Sequence, residues 1–169
     1  DDGRLLKTTD GGNNWTVQAT PVNQDLSSLT FTDVSNGWVV GQSGTILTTA
    51  DGGASWSRQF SSSSGDLYSV YFSDTANGWI TGQGGTLLKT TDGGSNWIEQ
   101  STNTFQDLNA VYFPNKQQGW AIGDGQVVLF SSDSGRTWRF QREDTAGQVD
   151  LRAASFINDS TGYLAGDQG

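Results

Sequence analysis

The nine residues 89–97, KTTDGGSNW, decide the fold because close copies of them recur along the chain. The copies read KTTDGGNNW at 7–15, TTADGGASW at 48–56 and SSDSGRTW at 131–138. The tryptophans that end them are 41 residues apart at every step, and they are Trp15, Trp56, Trp97 and Trp138. A fixed period of this length is typical of proteins built from structural repeats.

Two further series of residues keep the same period. One is a glycine followed by an aromatic residue, with copies at Asn36-Gly37-Trp38, Asn77-Gly78-Trp79, Gln118-Gly119-Trp120 and Thr161-Gly162-Tyr163. The other is an Asp-Leu pair, with copies at Asp25-Leu26, Asp66-Leu67, Asp107-Leu108 and Asp150-Leu151. The last step of both series is 43 residues, because two extra residues lie in the segment QREDTAGQVD that ends at Asp150.

Each unit contains four short runs of strand-forming residues. In one unit they are DLSSLTF (25–31), NGWVVG (36–41), GTILTTA (44–50) and SWSRQF (55–60). Apolar residues at the three- and four-residue spacing of a helix are nowhere sustained. Four strands in a unit of about 40 residues match a propeller blade. The sequence therefore predicts an all-β fold, a β-propeller of four-stranded antiparallel blades.

The 169 residues are enough for one domain with its own core, and we interpret 1–169 as a single β-propeller domain. Its units are 1–24, 25–65, 66–106, 107–149 and 150–169. The first unit supplies only the third and fourth strands, and the last supplies only the first and second. We therefore expect about four blades, with one blade completed by the N- and C-terminal strands or by a second chain. A fragment of a longer propeller is the third alternative.

Composition narrows the classes of function. A net charge of −9 argues against binding to nucleic acid or to anionic lipid, because both need a basic surface. The absence of His and Cys removes imidazole and thiolate from catalysis and from metal binding, so we expect no metal and no cofactor. No apolar run is long enough for membrane insertion. The absence of Met, even at position 1, favours a processed product or an excised segment of an exported protein.

The recurring motif resembles the Asp-box, also called the BNR repeat, with the pattern Ser/Thr-x-Asp-x-Gly-x-x-Trp. All four copies are complete, and their aspartates and tryptophans are Asp10, Trp15, Asp51, Trp56, Asp92, Trp97, Asp133 and Trp138. The wider unit is similar to the photosystem II stability and assembly factor family of propellers, which commonly carry seven blades. Related repeats occur in secreted bacterial propellers, sialidases, sortilin-type receptors and xyloglucanases. The resemblance therefore implies the fold far more than the function.

The repeated aspartates are interpreted as structural. Each Asp-box aspartate recurs identically and has its own turn to cap, whereas catalytic carboxylates would be unique positions that converge across a cleft. The two glutamates, Glu99 and Glu143, are not paired by the pattern. The Asp-Leu aspartates could form an acidic ring that holds a cation or a basic group, but we favour capping of the preceding link. They are Asp25, Asp66, Asp107 and Asp150.

The best candidates for binding are the positions where the copies differ. After the leucine of each Asp-Leu pair stand Ser27, Tyr68, Asn109 and Arg152. We expect them near the links between units, on the face opposite the Asp-box turns; neutral drift at an exposed position is the alternative. Arg136, Arg139 and Arg142, with Arg152 shortly after, form a basic cluster. It could dock a carboxylate or an acidic surface, or it could be a charged edge strand.

The sequence therefore predicts a non-catalytic binding or assembly module of an exported protein, located outside the cell, at its surface, in the periplasm or in the thylakoid lumen. The expected partner is a protein or a carbohydrate. The family resemblance implies a more specific role, that of a photosystem assembly factor. A self-assembling structural propeller, with oligomers formed through complementary half blades, is one alternative. A glycosidase or sialidase-like propeller is another, although neither the arginine triad of a sialidase nor the paired propellers of a xyloglucanase can be assembled from this chain.

Overall fold

A computed structural model describes residues 3–142, 149–158 and 160–167. Within these ranges the strands form three four-stranded antiparallel sheets and two two-stranded sheets. The all-β propeller fold predicted from the repeat is confirmed. In each four-stranded sheet the strands lie side by side in their order along the chain.

The strands follow the repeat. The first half blade consists of β1 (Leu5–Lys7) and β2 (Thr16–Gln18). The first complete blade consists of β3 (Leu26–Phe31), β4 (Gly37–Gly41), β5 (Thr45–Thr49) and β6 (Ser57–Gln59). The second consists of β7 (Leu67–Phe72), β8 (Gly78–Gly82), β9 (Leu87–Thr90) and β10 (Ile98–Glu99). The third consists of β11 (Leu108–Tyr112), β12 (Gly119–Gly123), β13 (Val128–Ser131) and β14 (Arg139–Arg142). The last half blade consists of β15 (Leu151–Phe156) and β16 (Gly162–Gly166).

The first strand of each blade is the innermost. Strand β3 packs against β7, β7 against β11, and β11 against β15. The fourth strands β6 and β10 are at the outer edge and are largely exposed. Residues of the first strands therefore lie nearest the centre of the arc.

The core lies between consecutive blades, at a contact that we call the blade joint. The indole of Trp38 stacks on the ring of Phe72 in the next blade, with ring centroids 3.7 Å apart, and Trp97 lies edge-on to Phe72 at 5.8 Å. The joint after it repeats this arrangement with Trp79, Phe113 and Trp138. The aromatic residue of the glycine–aromatic pair and the Asp-box tryptophan thus pack on the same phenylalanine.

The glycine of the glycine–aromatic pair is needed by this joint. A β-carbon on Gly78 would overlap the ring of Phe72, which ends β7, and one on Gly119 would overlap the ring of Phe113, which directly follows β11. Only glycine leaves the ring room to lie flat against the backbone. The pair is therefore a packing device as well as part of a turn.

The ring does not close within the chain. In the described residues β1 pairs with β2 and β15 pairs with β16, and neither hairpin pairs with the other. All five residues of β16 are exposed. Of the two completions that the sequence left open, pairing between the chain's own terminal strands is not found in the described residues. Completion by a second chain stays a prediction.

Candidate binding site

Every innermost strand carries a β-bulge immediately after its first leucine. The pairing register shifts between Leu26 and Ser28, Leu67 and Ser69, Leu108 and Ala110, and Leu151 and Ala153. The bulged residues are the four variable positions Ser27, Tyr68, Asn109 and Arg152. Because a bulge redirects a side chain and often lies beside a functional site, the structure brings these candidates to equivalent places, one per blade.

The bulge is held open by a glycine on the second strand. A β-carbon on Gly82 would overlap the carbonyl oxygen of Asp66, and one on Gly123 would overlap that of Asp107. The same carbonyls accept hydrogen bonds from the next backbone N–H groups, those of Gln83 at 2.8 Å and Asp124 at 2.9 Å. The bulge is thus a repeated feature of the fold, whereas the side chain that it presents differs from blade to blade.

The Asp-Leu aspartates connect neighbouring blades. Asp66, Asp107 and Asp150 each accept a hydrogen bond from a backbone N–H in the link between the second and third strands of the preceding blade. The donors are Ser43 to Asp66 at 3.0 Å, Gly84 to Asp107 at 2.8 Å and Gly125 to Asp150 at 3.2 Å. These bonds join neighbouring blades, whereas the sequence predicted capping of the link that precedes each aspartate.

The side chains at the bulges reach across to the next blade. The hydroxyl of Tyr68 donates to Asp107 Oδ2 at 2.9 Å. Burial, this hydrogen bond and nearby carboxylates raise the pKa of Tyr68 to about 12, so the phenol remains a proton donor at neutral pH. The amide of Asn109 donates to Asp124 Oδ1 at 2.8 Å and to the carbonyl of Leu151 at 2.9 Å.

Arg152 lies among three carboxylates. Its guanidinium is 3.4 Å from Asp124, 3.1 Å from Asp150 and 3.1 Å from Asp167. The hydrogen bond that Arg152 donates to Asp167, together with the charges of the three aspartates, raises the pKa of Arg152. One cation among three anions leaves this corner negatively charged.

We call this edge of the arc the mouth. It comprises the bulge residues Ser27, Tyr68, Asn109 and Arg152 and the carboxylates Asp66, Asp107, Asp124, Asp150 and Asp167. Carboxylates that already accept one bond retain lone pairs for an ammonium or guanidinium group, and the phenol and amide add directional contacts. In the part of the chain that the structure describes, no group of three or more His, Cys, Asp or Glu is arranged to hold a metal ion. The mouth is therefore suited to a basic polar segment.

Sequence reasoning missed Asp124 and Asp167 as part of this site. Both follow the glycine that ends a second strand, where the other blades carry Gln42 and Gln83. Variation among the copies at that position was a signal of the same kind as the one that identified the bulge residues. Its significance depends on the fold, since strand pairing brings these links to the bulges: Asp124 contacts Asn109 in its own blade, and Asp167 contacts Arg152 in its own hairpin.

The Asp-box carboxylates are engaged within their own turns. Asp51 accepts hydrogen bonds from the hydroxyl of Thr49 at 2.7 Å, and from the N–H and the hydroxyl of Ser55 at 2.9 and 2.6 Å. In the first copy, bonds from Asn14 and then Thr8 lower the pKa of Asp10 to about 2. The Asp-box tryptophans Trp97 and Trp138 are buried in blade joints. These contacts are the ones that a scaffold role requires.

The arginine cluster is divided by the fold. Arg139 and Arg142 lie on the outer strand β14, and the exposed Arg136 is in the turn before it. The guanidinium of Arg139 lies 5.1 Å over the ring of Phe130. Arg152, on the innermost strand of the next unit, is not brought together with them. The side chain of Arg142 and the whole of Glu143 lie outside the described residues, and Glu99 is exposed on β10.

Comparison with known families identifies one that matches more than half of the chain. The family model described as photosynthesis system II assembly factor YCF48 matches residues 7–104. Comparison with curated proteins finds no significant match. None of the described segments forms a helix with the length and apolarity that crossing a bilayer requires.

Solved structures show the same fold at low identity. YCF48 from Cyanidioschyzon merolae superimposes with a TM-score of 0.76 at 21% identity, over 98% of this chain and 58% of that one. A structure titled YCF48 bound to D1 peptide gives 0.64 at 19% identity, over 88% and 64%. An ancestral GH74 enzyme gives 0.80 at 17% identity, over 98% and 25%. The chain thus spans about three fifths of the length of the two YCF48 structures.

Proposed function

Because the chain belongs to the photosynthesis system II assembly factor YCF48 family, we propose that it is a non-catalytic module that binds a segment of another protein at the mouth. The observation that carries this proposal is the position of the four variable residues. In each blade the scaffold is repeated, and the side chain that differs is the one that the bulge presents at the mouth. Side chains that differ at equivalent places, one per blade, are what recognition of an asymmetric ligand requires.

The chemistry of the mouth favours a peptide that carries lysine or arginine. Tyr68 and Asn109 offer an aromatic ring and an amide, and the surrounding carboxylates outnumber Arg152. A protein ligand is also consistent with the relative whose structure is titled YCF48 bound to D1 peptide. We extend to this chain only the class of ligand, a polypeptide segment.

Binding without catalysis is supported by the state of the carboxylates at the mouth. Asp66, Asp107 and Asp150 accept backbone hydrogen bonds, and Asp124 and Asp167 contact Arg152. A glycosidase would need one carboxyl group kept protonated and a second kept ionised across a substrate cleft. Likeness to a GH74 enzyme concerns the fold. Turnover of a glycoside that one acidic substitution at the mouth abolished would contradict a non-catalytic role.

We propose further that the protein acts outside the cytoplasm. The support for this location is the Asp-box repeat, which related secreted propellers share. Fractionation of the source cells, with the chain detected by antibody, tests this location. Recovery with cytoplasmic markers alone would contradict it.

The binding test uses a panel of overlapping, fluorescein-labelled D1 peptides, with fluorescence anisotropy as the readout. We expect the peptides that bind most tightly to contain lysine or arginine and to lose affinity as salt is raised, because exposed charge pairs are screened. The double variant Tyr68→Ala/Asn109→Ala should raise the Kd about tenfold or more, the effect of losing roughly 1.4 kcal/mol at an interface.

The matched control is Arg139→Ala, which changes an exposed side chain on the outer strand β14. It should bind the same peptide with the Kd of the wild-type chain. Circular dichroism spectra and melting curves of all three proteins separate loss of binding from loss of fold. Weaker binding by Arg139→Ala, with unchanged binding by the double variant, would place the site on the outer strand instead.

A further inference from the structure

A large apolar side chain is exposed directly beside the mouth. Phe105 is 95% exposed and stands two residues before Asp107, whose carboxylate belongs to the mouth. Two residues of chain span at most about 7 Å, so the Cα atoms of Phe105 and Asp107 lie no further apart than that. Aromatic side chains are enriched at protein interfaces, where they serve as anchors. The position of Phe105 therefore makes it a candidate contact for a ligand of the mouth.

The phenylalanine is a departure from the repeat. Two residues before the aspartate of the Asp-Leu pair, the other units carry Asn23, Ser64 and Gln148. Polar side chains at this place are thus compatible with the blade, and the fold does not require an aromatic ring there. The same kind of difference between copies identified the bulge residues of the mouth.

The backbone on both sides of Phe105 is held in place by its own blade. Thr102 is 6% exposed, and its hydroxyl donates to the carbonyl of Gly85 at 2.9 Å. A β-carbon on Gly85 would overlap the carbonyl oxygen of Thr104, so this link packs directly on the glycine. The N–H of Gln106 donates to Thr104 Oγ1 at 3.1 Å. The ring is therefore presented to solvent from a fixed backbone, which lowers the entropic cost of binding.

The aspartate that follows has capacity for a ligand. Asp107 Oδ1 accepts a hydrogen bond from the N–H of Gly84 at 2.8 Å, and Oδ2 accepts one from the hydroxyl of Tyr68 at 2.9 Å. Each carboxylate oxygen has two lone pairs, so both oxygens can accept a further bond from an ammonium or guanidinium group. An acceptor for a cation thus lies beside an exposed ring.

This combination defines the ligand more closely than charge alone. A side chain that covers the ring of Phe105 must be apolar, because a polar one would lose hydrogen bonds to water without replacing them. Side chains on one face of an extended segment are about 7 Å apart, comparable with the greatest separation of Phe105 and Asp107. One extended segment can therefore place a cation at the carboxylate and an apolar side chain on the ring.

We propose that Phe105 is a specificity-determining residue of the mouth, and that it selects polypeptide segments in which an apolar side chain stands close to a lysine or arginine. The role of Phe105 rests on the proposed function of the mouth and adds to it. Charge attracts basic segments in general, whereas the ring distinguishes those with an apolar neighbour from those without one.

A double-mutant cycle tests the contact. The probe is the fluorescein-labelled D1 peptide that binds the wild-type chain most tightly, with fluorescence anisotropy as the readout. In a second set of peptides, each apolar side chain within three positions of the lysine or arginine is replaced by serine. Phe105→Ala should raise the Kd of the parent peptide about tenfold. One serine substitution should have a similar effect, and the two changes together should cost less than their sum.

Phe105→Leu keeps an apolar side chain and should raise the Kd by less than about threefold. The contact is also expected to persist in salt, because screening weakens charge pairs and not apolar contacts. The ratio of the Kd values of Phe105→Ala and the wild-type chain should therefore be the same at low and at high salt. A ratio that falls toward one as salt is raised would contradict an apolar contact.

The matched control is Phe60→Ala, which removes another exposed phenylalanine. Phe60 directly follows the outer strand β6, three strands or roughly 14 Å from the innermost strand of its blade. It should leave the Kd unchanged, and melting curves of all variants should match that of the wild-type chain.

The outcomes separate the role of Phe105 from the proposed function. Binding that Phe105→Ala leaves unchanged, or that Phe60→Ala weakens equally, would overturn the role of Phe105 while leaving the mouth as the binding site. Strictly additive effects of Phe105→Ala and of every serine substitution would also overturn it. Failure of every D1 peptide to bind the wild-type chain would refute the proposed function, and the role of Phe105 with it.

Discussion

At the scale of the residue, one hydroxyl organises each Asp-box turn, and it is buried in the turns of Thr49, Thr90 and Ser131. Thr90 is 1% exposed, and its oxygen accepts hydrogen bonds from the backbone N–H of Gly94 at 2.9 Å and of Asp92 at 3.2 Å. It also donates to Asp92 Oδ1 at 2.8 Å. The next residue, Thr91, has the same side chain but is exposed. The pair is a natural comparison between a buried and an exposed threonine.

Thr90→Val should therefore lower the free energy of unfolding by about 1–3 kcal/mol, because it keeps the shape but leaves a buried N–H without an acceptor. Thr91→Val should change it by less than about 0.5 kcal/mol. Urea denaturation followed by tryptophan fluorescence measures both. Equal effects of the two substitutions would contradict the role given to the hydroxyl.

The Asp-box carboxylates should also make the free energy of unfolding depend on pH in the acid range. Hydrogen bonds, first of all from the polar side chain four residues later, lower the pKa of Asp51, Asp92 and Asp133 as well as that of Asp10. A carboxyl group whose pKa is lower in the folded than in the unfolded state stabilises the fold above its unfolded pKa of about 4. This stability is lost as the pH falls through the folded value.

The free energy of unfolding should thus be nearly constant above about pH 5 and fall steadily from about pH 4 to pH 2. Asp92→Asn should make that fall less steep, whereas Glu99→Gln, on an exposed strand, should not. Urea denaturation at a series of pH values checks this. If Asp92→Asn left the dependence of the unfolding free energy on pH unchanged, the result would be inconsistent with a lowered pKa of Asp92.

The sequence reveals residue roles to the extent that they are local. The Asp-box turn closes within five residues, so recurrence and turn chemistry were sufficient to interpret Asp92. The contact of Asp124 with Arg152 joins two successive units, and the contact of Asp167 with Arg152 joins the two ends of one hairpin. Spacing along the chain cannot show them, because they depend on how the strands pair and on how one blade sits against the next.

At the scale of the element, the blade joint is the contact that holds neighbouring blades together. Phe113 is 2% exposed and contacts Trp79 of the preceding blade and Trp138 of its own. Phe105, in the link before the same strand, is 95% exposed. Substituting each phenylalanine in turn therefore distinguishes the stability that comes from burial in a joint from any effect of changing an exposed aromatic ring.

Phe113→Leu should reduce the free energy of unfolding by about 1–3 kcal/mol, through a cavity and the loss of aromatic pairing. Phe105→Leu should cost less than about 0.5 kcal/mol. Denaturation curves in guanidinium chloride provide the comparison. A larger loss of unfolding free energy from Phe105→Leu than from Phe113→Leu would contradict the role given to the blade joint.

The strands were predictable as elements, but the bulges were not identified. Residues that share the buried face of β7 are Leu67, Val70 and Phe72, and their spacing is three and then two. An unbroken strand would keep a spacing of two, so the step of three marks the extra residue. The signal was present in the sequence, and its meaning becomes clear only when Gly82 and Asp66 are seen on opposite sides of the bulge.

At the scale of the whole molecule, the chain is an arc with the curvature of a larger ring. It superimposes on YCF48 over 98% of its own length while spanning 58% of that protein. The repeat predicts how many blades the chain contributes, but its spacing carries no information on the rotation from one blade to the next. That rotation is set by the packing of aromatic rings in the joints. For this reason the number of units was predictable and closure was not.

The function proposed for this arc depends on where a ligand binds. Hydrogen–deuterium exchange with and without a saturating D1 peptide measures this directly. We expect slower exchange at the mouth, in segments that contain Tyr68, Asn109 and Gly84, whose N–H donates to Asp107. Protection confined to the outer strand β14 and the Asp-box turns, with no change at the mouth, would contradict the account.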